Sequence, residues 1–153
     1  MKNPLLEESK QPYGTIPFNE LKLDHFVPAI KSGIKDAELT IDKITQNTDS
    51  PTFENTVLSL ELSGESLNTS LTAYYHLFGS ESDKDFKNLS DKISPMVAEF
   101  ENNVYLNKNL FMKIKEVYKN KKGLNPNEDR RLLDLTYKDF IRNGAGLSDN
   151  DKI

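Results

Sequence analysis

Apolar side chains recur every three or four residues along most of the chain, which is the spacing of one face of an α-helix. The clearest stripe follows Asp24, which is expected to cap the helix, with Pro28 in the first turn, where its missing N–H costs little. The stripe consists of Ile30, Ile34, Ala37, Ile41 and Ile44. Because these side chains share one face, that face is expected to be buried against a partner helix.

A second long helix is predicted after the turn residues that end at Pro51. Gly64 lies on its apolar stripe and there costs about 1 kcal/mol of helix propensity relative to alanine. Close approach of a neighbouring helix would explain a glycine at this position. The stripe itself contains Val57, Leu60, Leu67, Leu71, Tyr74 and Phe78.

Two more helices are predicted in the middle of the chain. Ser82 is placed to cap the third helix, and Pro95 within its stripe is expected to kink it. The fourth helix runs from about Asn107 to a lysine-rich end. Gly123 follows that end and suits the position just beyond a helix C-terminus, where a left-handed backbone is common.

The fifth helix has the clearest start signals. Asn125 as cap, Pro126 at the first position and Glu128 at the third are preferred residues of a helix N-terminus. This helix is expected to end near Gly144. The residues of a cap and a first turn follow and predict a sixth helix: Ser148, Asp149 and Asp151.

Residues 1–23 lack helical periodicity. Prolines at positions 4, 12 and 17 deny this segment a regular helix, so it is predicted to be an extended arm that packs on the helices. No segment alternates in the manner of a strand. The predicted fold class is therefore all-α, a bundle-like array of about five antiparallel helices in residues 24–153 behind the arm.

Charge and composition exclude several classes of protein. The 153 residues include 24 acidic and 20 basic ones, so no positive field exists for nucleic acid. No apolar run approaches the length of about twenty residues that a membrane span needs. Neither nucleic acid nor a membrane is an expected partner. The polar N-terminus lacks the apolar middle of a secretory signal, which predicts a cytoplasmic protein unless a signal peptide has been removed.

The sequence offers little catalytic chemistry. A catalytic zinc needs three protein ligands, commonly including His-Glu-x-x-His, and this chain has only His25 and His76 and no cysteine. No catalytic, cofactor-binding or metal-binding residue is predicted in this chain. Tyr74, Tyr75 and His76 cannot all face the core of one helix, so an outward ring could line a groove. Core packing with one exposed ring is the alternative interpretation.

Several stretches occur in a characteristic order along nearly the whole chain. Among them are Asn3-Pro4-Leu5-Leu6, Asp24-His25-Phe26-Val27-Pro28-Ala29, Pro51-Thr52-Phe53-Glu54-Asn55-Thr56 and the run from Tyr137 to Leu147. Their succession resembles the N-terminal region of the peptidyl-dipeptidase, oligopeptidase A and thimet oligopeptidase family of zinc metallopeptidases, most of all its bacterial peptidyl-dipeptidase branch.

The resemblance implies a neurolysin-like, almost entirely helical enzyme of several hundred residues, with two lobes beside a channel that admits short peptides. It also implies a zinc ion bound by residues far downstream of this chain. The chain itself would be a non-catalytic part of one lobe that walls the channel. Within it, Phe53, Glu54 and Asn55 would open the second helix and Gly144 would turn the chain.

The resemblance also implies the partners of this chain. They are the missing C-terminal part of the same enzyme and, for the whole enzyme, short peptide substrates. Apolar surface that the missing part would cover is expected to cause self-association of the chain on its own. The alternative is a freestanding helical module without enzymatic activity that binds a partner helix in an apolar groove.

Overall fold

The computed structural model describes residues 2–80, 84–125 and 128–146, and these residues form helices and turns without a strand. The predicted all-α class is confirmed. A π-helical turn at Phe53–Leu58 leads into the second helical stretch. The α-helices are α1 (Leu23–Gln46), α2 (Ser59–Ser63), α3 (Glu65–Ser80), α4 (Lys84–Tyr105), α5 (Lys108–Lys119) and α6 (Asp129–Arg142).

The chain folds into two compact units. The first contains Met1–Glu38 and Ser63–Ala98, and the second contains Leu39–Leu62 and Glu99–Ile153. Helices α1 and α4 therefore contribute residues to both units. The boundary between an arm at 1–23 and helices at 24–153 stays a prediction.

The core of the first unit surrounds Tyr74 on α3. The Tyr74 ring lies 5.6 Å from that of Phe26 on α1 and 6.3 Å from that of Phe86 on α4. Its phenol donates a hydrogen bond of 3.2 Å to the carbonyl oxygen of Phe86. A single buried side chain thus contacts both neighbouring helices. The predicted inward face of α1 is buried in this unit through Ile30 and Ala37.

The close helix approach in this unit occurs at Gly33, whereas the sequence predicted it at Gly64. A Cβ atom on Gly33 would lie 2.7 Å from the Cα atom of Leu67 on α3. A Cβ atom on Gly64 would meet only the side chain of Asn68, at 3.7 Å. The prediction for Gly64 is therefore wrong. Gly64 instead separates α2 from α3, where its low helix propensity interrupts the helix.

The second unit has a core in which the end of α1 meets α5 and α6. The Phe111 ring stacks on those of Tyr137 and Phe140, at 5.8 and 6.1 Å between centroids. A second cluster joins the π-helical turn to the same two helices. The buried members of the two clusters are Ile41, Ile44, Leu110, Phe111, Ile114 and Phe140, and then Phe53, Val57, Val117 and Leu133.

The N-terminal segment turns three times and is not simply extended as predicted. Short 3₁₀ turns occupy Pro4–Leu6 and Phe18–Glu20, and the turn at Pro12–Gly14 has a left-handed backbone at Tyr13 and Gly14. Proline favours such turns because its φ is already restricted near the required value. The Asn3 side-chain amide donates to the carbonyl oxygen of His25 over 2.8 Å, which ties the segment to the start of α1.

The start of α1 lies before the predicted cap. The helix begins at Leu23, so Asp24 lies in its first turn and Pro28 in its interior, and both predicted positions are wrong. The imidazole Nδ1 of His25 accepts a hydrogen bond from the Lys22 N–H over 3.2 Å. This bond satisfies one of the free donors of the helix start, a role that the sequence assigned to Asp24.

Other helix ends agree with the sequence more closely. The Thr52 hydroxyl and the Asn55 side chain cap each other's backbone N–H groups, so the second helical stretch opens at Phe53, Glu54 and Asn55 as expected. The Asn107 side chain caps α5. The predicted caps Ser82 and Ser148 and the predicted first position Pro126 lie outside the described residues.

Two glycines near helix ends behave differently from each other. Gly144 has φ 86°, and the hydrogen bonds from Gly144 to Ile141 and from Ala145 to Phe140 form a Schellman motif, which confirms the predicted end of the fifth predicted helix, observed as α6. Gly123 closes a 3₁₀ turn at Lys121–Gly123 without a positive φ, so its predicted left-handed role is wrong. Helix α6 begins at Asp129, directly after Glu128, later than the predicted start.

A methyl group at Gly33 tests the helix approach. We expect Gly33→Ala to lower the free energy of unfolding by about 1–3 kcal/mol, because the new Cβ would meet the Leu67 backbone, which cannot move aside as a flexible side chain can. Gly64→Ala is the matched control and should leave that free energy unchanged or raise it by up to about 1 kcal/mol. Urea denaturation measures both. Equal stability of the two variants would contradict the assigned contact.

Candidate functional site

The three side chains predicted as groove-lining lie in different environments along α3. Tyr74 is 1% exposed and belongs to the core, whereas Tyr75 is 53% exposed. His76 is also exposed, and the Phe18 ring of the N-terminal segment lies 6.2 Å from its imidazole in an edge-on arrangement. Consecutive helical residues point about 100° apart, so one inward and two outward rings follow from the helix itself. A groove-lining role for Tyr75 and His76 stays a prediction.

Burial changes the acid–base behaviour of Tyr74. Loss of hydration raises the pKa of its phenol above the ordinary value, since the ionised form is the one that burial penalises. The phenol is therefore neutral at physiological pH and donates to the Phe86 carbonyl oxygen, while a hydrogen bond with the Ser90 side chain acts on its pKa in the opposite direction to burial. This geometry gives Tyr74 a packing and donor role in the core.

A cavity of about 300 Å³ lies between the N-terminal segment and the start of α1. Its charged lining is balanced, with Lys2, Lys10 and Lys22 against Glu7, Glu8 and Glu20. The Lys2 ammonium lies 2.8 Å from a Glu7 carboxylate oxygen, and that hydrogen bond raises the pKa of Lys2. The cavity consequently carries no net field that would select an anion or a cation.

His25 forms part of the wall of this cavity and is buried. Its Nδ1 atom is occupied by the Lys22 N–H, and its Nε2 atom lies 3.9 Å from a carboxylate oxygen of Asp24. This distance exceeds that of a direct hydrogen bond. Ser9 also lines the cavity, but its hydroxyl donates to the Thr15 carbonyl oxygen over 2.6 Å and accepts from the Gln11 N–H. The hydrogen bonds of Ser9 and His25 thus go to the backbone, not to each other as in a nucleophile–base pair. The burial of His25 and its hydrogen bond with the Lys22 N–H indicate a structural role.

Metal binding finds no support among the described residues. They contain no group of three or more His, Asp and Glu side chains that could hold an ion. His25 lies at the cavity beside α1, and His76 lies on the surface of α3. Within the described ranges, no helix combines the length and apolar character required to cross a membrane.

A charged cluster that the sequence did not indicate joins α5 to α6. The Lys121 ammonium lies 4.0 Å from the centre of the Tyr118 ring and 2.8 Å from a carboxylate oxygen of Asp134. The hydrogen bond to Asp134 and then that to Tyr118 raise the pKa of Lys121. Tyr118 also stacks on Tyr137 at 4.0 Å. These contacts stabilise the junction between α5 and α6. The spacing of Lys121 and Asp134 along the sequence does not predict that their side chains meet.

The whole chain is similar to known peptidases. It is 30% identical over 151 residues to the dipeptidyl carboxypeptidase of Salmonella typhimurium. The matched region covers 98% of this chain and 22% of that protein. The dipeptidyl carboxypeptidase of Escherichia coli matches with the same identity and coverage. The oligopeptidase A of Haemophilus influenzae is 24% identical over 150 residues, covering 97% of this chain and 21% of that protein. No family model matches the chain.

The chain thus spans about a fifth of the length of these relatives, at their N-terminal end. The predicted resemblance to the N-terminal region of the peptidyl-dipeptidase and oligopeptidase A family is confirmed. The helical structure agrees with the neurolysin-like fold that this resemblance implied.

The phenol of Tyr74 makes stability depend on pH. The unfolded phenol ionises near pH 10, whereas the folded one keeps its proton to higher pH, so its contribution is complete below pH 10 and is lost as the pH rises through the folded pKa. We expect Tyr74→Phe to lower the free energy of unfolding by about 1 kcal/mol at neutral pH. It should also reduce the loss of stability above pH 10.

Tyr75→Phe is the matched control for Tyr74→Phe, since Tyr75 is the adjacent exposed tyrosine. It should leave the stability at neutral pH unchanged, because the ring that lies 5.2 Å from that of Tyr74 is kept. Part of the alkaline loss should persist in Tyr74→Phe because burial also raises the pKa of Tyr105. Urea denaturation between pH 7 and 11 provides the measurement. Identical pH profiles for Tyr74→Phe and the parent chain would refute the assignment.

Proposed function

We propose that this chain is the N-terminal, non-catalytic segment of a longer zinc-dependent oligopeptidase or peptidyl-dipeptidase. The observation that carries the proposal is the alignment of 98% of the chain with 22% of a dipeptidyl carboxypeptidase. An isolated shared motif would cover far less of the chain. The names of the relatives support short peptides as the substrates of the longer enzyme.

The zinc ion belongs, in this proposal, to the part of the enzyme outside this chain. The residues present do not fit a catalytic zinc, because the sequence has two histidines and no cysteine and the described residues hold no ligand group. This chain would instead act through its shape, as part of the lobe that walls the peptide channel. Its cytoplasmic location stays a prediction.

Exposed apolar side chains support the proposal that another part of the enzyme covers this chain. Large apolar side chains are exposed in both units, including Tyr13 and Tyr75 in the first and Leu62 and Met112 in the second. Single exposed apolar residues are common on proteins, so their number alone does not identify a partner. In the proposed enzyme, the remaining four-fifths of the relatives' length supplies the surface that covers some of them.

Peptide hydrolysis tests the proposal that the zinc ligands lie in the part of the enzyme outside this chain. We expect the 153-residue chain with added zinc to leave a fluorogenic peptide uncleaved, because a catalytic zinc requires ligands that it lacks. The product of a longer reading frame that continues this sequence should cleave the same peptide, lose activity with a chelator and regain it with zinc. Zinc-dependent cleavage by the 153-residue chain would overturn the proposal.

Self-association tests whether apolar surface of the 153-residue chain lacks its normal cover. We expect the sedimentation coefficient of the 153-residue chain to rise with protein concentration, since apolar side chains that lack their cover associate with each other. The longer product provides the comparison and should sediment as a single species. A compact monomer at every concentration of the shorter chain would count against a missing cover.

A further inference from the structure

We propose that Tyr13 is a preformed anchor that docks against the part of the enzyme outside this chain. The inference rests on the proposed function and identifies one contact between the two parts. Tyr13 has φ 60° and ψ 20° and is the non-glycine residue with a positive φ among the described residues. The residue is fully exposed to solvent. Backbone strain and complete exposure thus coincide at one aromatic residue.

The turn around Tyr13 needs this left-handed backbone. Gly14 follows with φ 66°, and the Thr15 N–H donates to the Pro12 carbonyl oxygen over 3.3 Å. Two consecutive left-handed residues define a type I′ turn, in which asparagine, aspartate and glycine are the favoured residues. Tyrosine is therefore an unfavourable choice for the turn itself. Local backbone preference therefore does not explain why a tyrosine occupies this position.

The loop that carries the ring is held by its own hydrogen bonds. The Ser9 hydroxyl donates to the Thr15 carbonyl oxygen over 2.6 Å and accepts from the Gln11 N–H over 3.2 Å. The Gly14 N–H donates to the Gln11 carbonyl oxygen over 3.0 Å. These bonds hold the strained backbone conformation and so fix the position from which the Tyr13 side chain leaves the loop. None of them uses the phenol or the ring.

A solvent-exposed tyrosine on a loop with a fixed backbone has the properties of an interface anchor. Its ring supplies a large apolar area, its hydroxyl supplies a polar end, and few rotamers are lost when it is buried. Presenting it on a closed loop removes further ordering cost at the moment of contact. The ring contributes almost nothing to the described structure, so its burial would stabilise only an assembly with another surface.

The occupant that covers Tyr13 is the remaining part of the same longer chain. The relatives extend well beyond the 22% of their length that this chain matches. A covalently linked surface is present at a high effective concentration, so a single anchor on a short loop suffices for stable contact. A second copy of this chain lacks that advantage.

Nitration with tetranitromethane, followed by mass spectrometry, measures how accessible Tyr13 is. We expect rapid nitration of Tyr13 in the 153-residue chain and nitration at least about tenfold slower in the longer product, because burial limits reaction to transient opening. Tyr75, which is half-exposed, provides a second site within the same molecule. Equal rates at Tyr13 in the two proteins would overturn the inference, as would protection in the shorter chain at high concentration, which would indicate a second copy.

Substitutions separate the ring from the turn. Tyr13→Asn removes the ring and suits a left-handed backbone, so the melting temperature of the 153-residue chain should stay the same or rise. In the longer product the same change should lower the melting temperature. Tyr13→Phe should lower it much less, because the ring is kept. A longer product that tolerates Tyr13→Asn without a loss would contradict the anchor.

The docking contact and the proposed function fail in different ways. If the longer product cleaves peptides but leaves Tyr13 fully reactive, the anchor is refuted and the function stands. If Tyr13 is protected but no metal-dependent cleavage occurs, the function is refuted and the docking contact stands. Peptide cleavage and nitration are therefore measured on the same preparation.

Discussion

The single apolar face of α1 is the constraint on which both units depend. Phe26 and Ile30 at its beginning are buried in the first unit, and Ile41 and Ile44 near its end are buried in the second. The face is continuous because apolar residues recur at the helical period over the whole length of the helix. Within the first unit, Gly33 removes the side chain that would hold α3 away, which brings the Leu67 backbone into direct contact. Packing at van der Waals distance extends the dispersion contacts of both helices.

The polar features of the chain stabilise joints between helices. His25 satisfies a donor at the start of α1, Tyr74 bonds the backbone of α4, and Lys121 joins α5 to Asp134 on α6. Each group has a short-range partner that accounts for its position. A hydrolytic site needs groups aimed at a reacting atom, with a nucleophile, a base or a metal in reach of one another. The contacts of these three groups instead hold the helices together.

Helix ends illustrate how far local sequence signals reach. The Thr52 and Asn55 capping pair, the Asn107 cap and the left-handed Gly144 depend on bonds between residues a few positions apart, so the sequence contains all the partners. The start of α1 differs because the His25 imidazole accepts from the N–H of Lys22, just before the helix, and a histidine in this role is not among the usual signals. Three turns of the N-terminal segment were missed for a related reason, since prolines exclude a long helix without specifying what replaces it.

The sequence by itself determined the helical class, the inward face of α1 and the lack of a typical zinc ligand set, since periodicity and composition are properties of the chain alone. It also determined the family resemblance. Only the tertiary structure decided that Gly33 and not Gly64 lies at the close approach, that Tyr74 and not Tyr75 enters the core, and that Lys121 meets Asp134. Each of these depends on the register and rotation of one helix against another. That relation is set by the packing of the whole core, which no local window of the sequence contains.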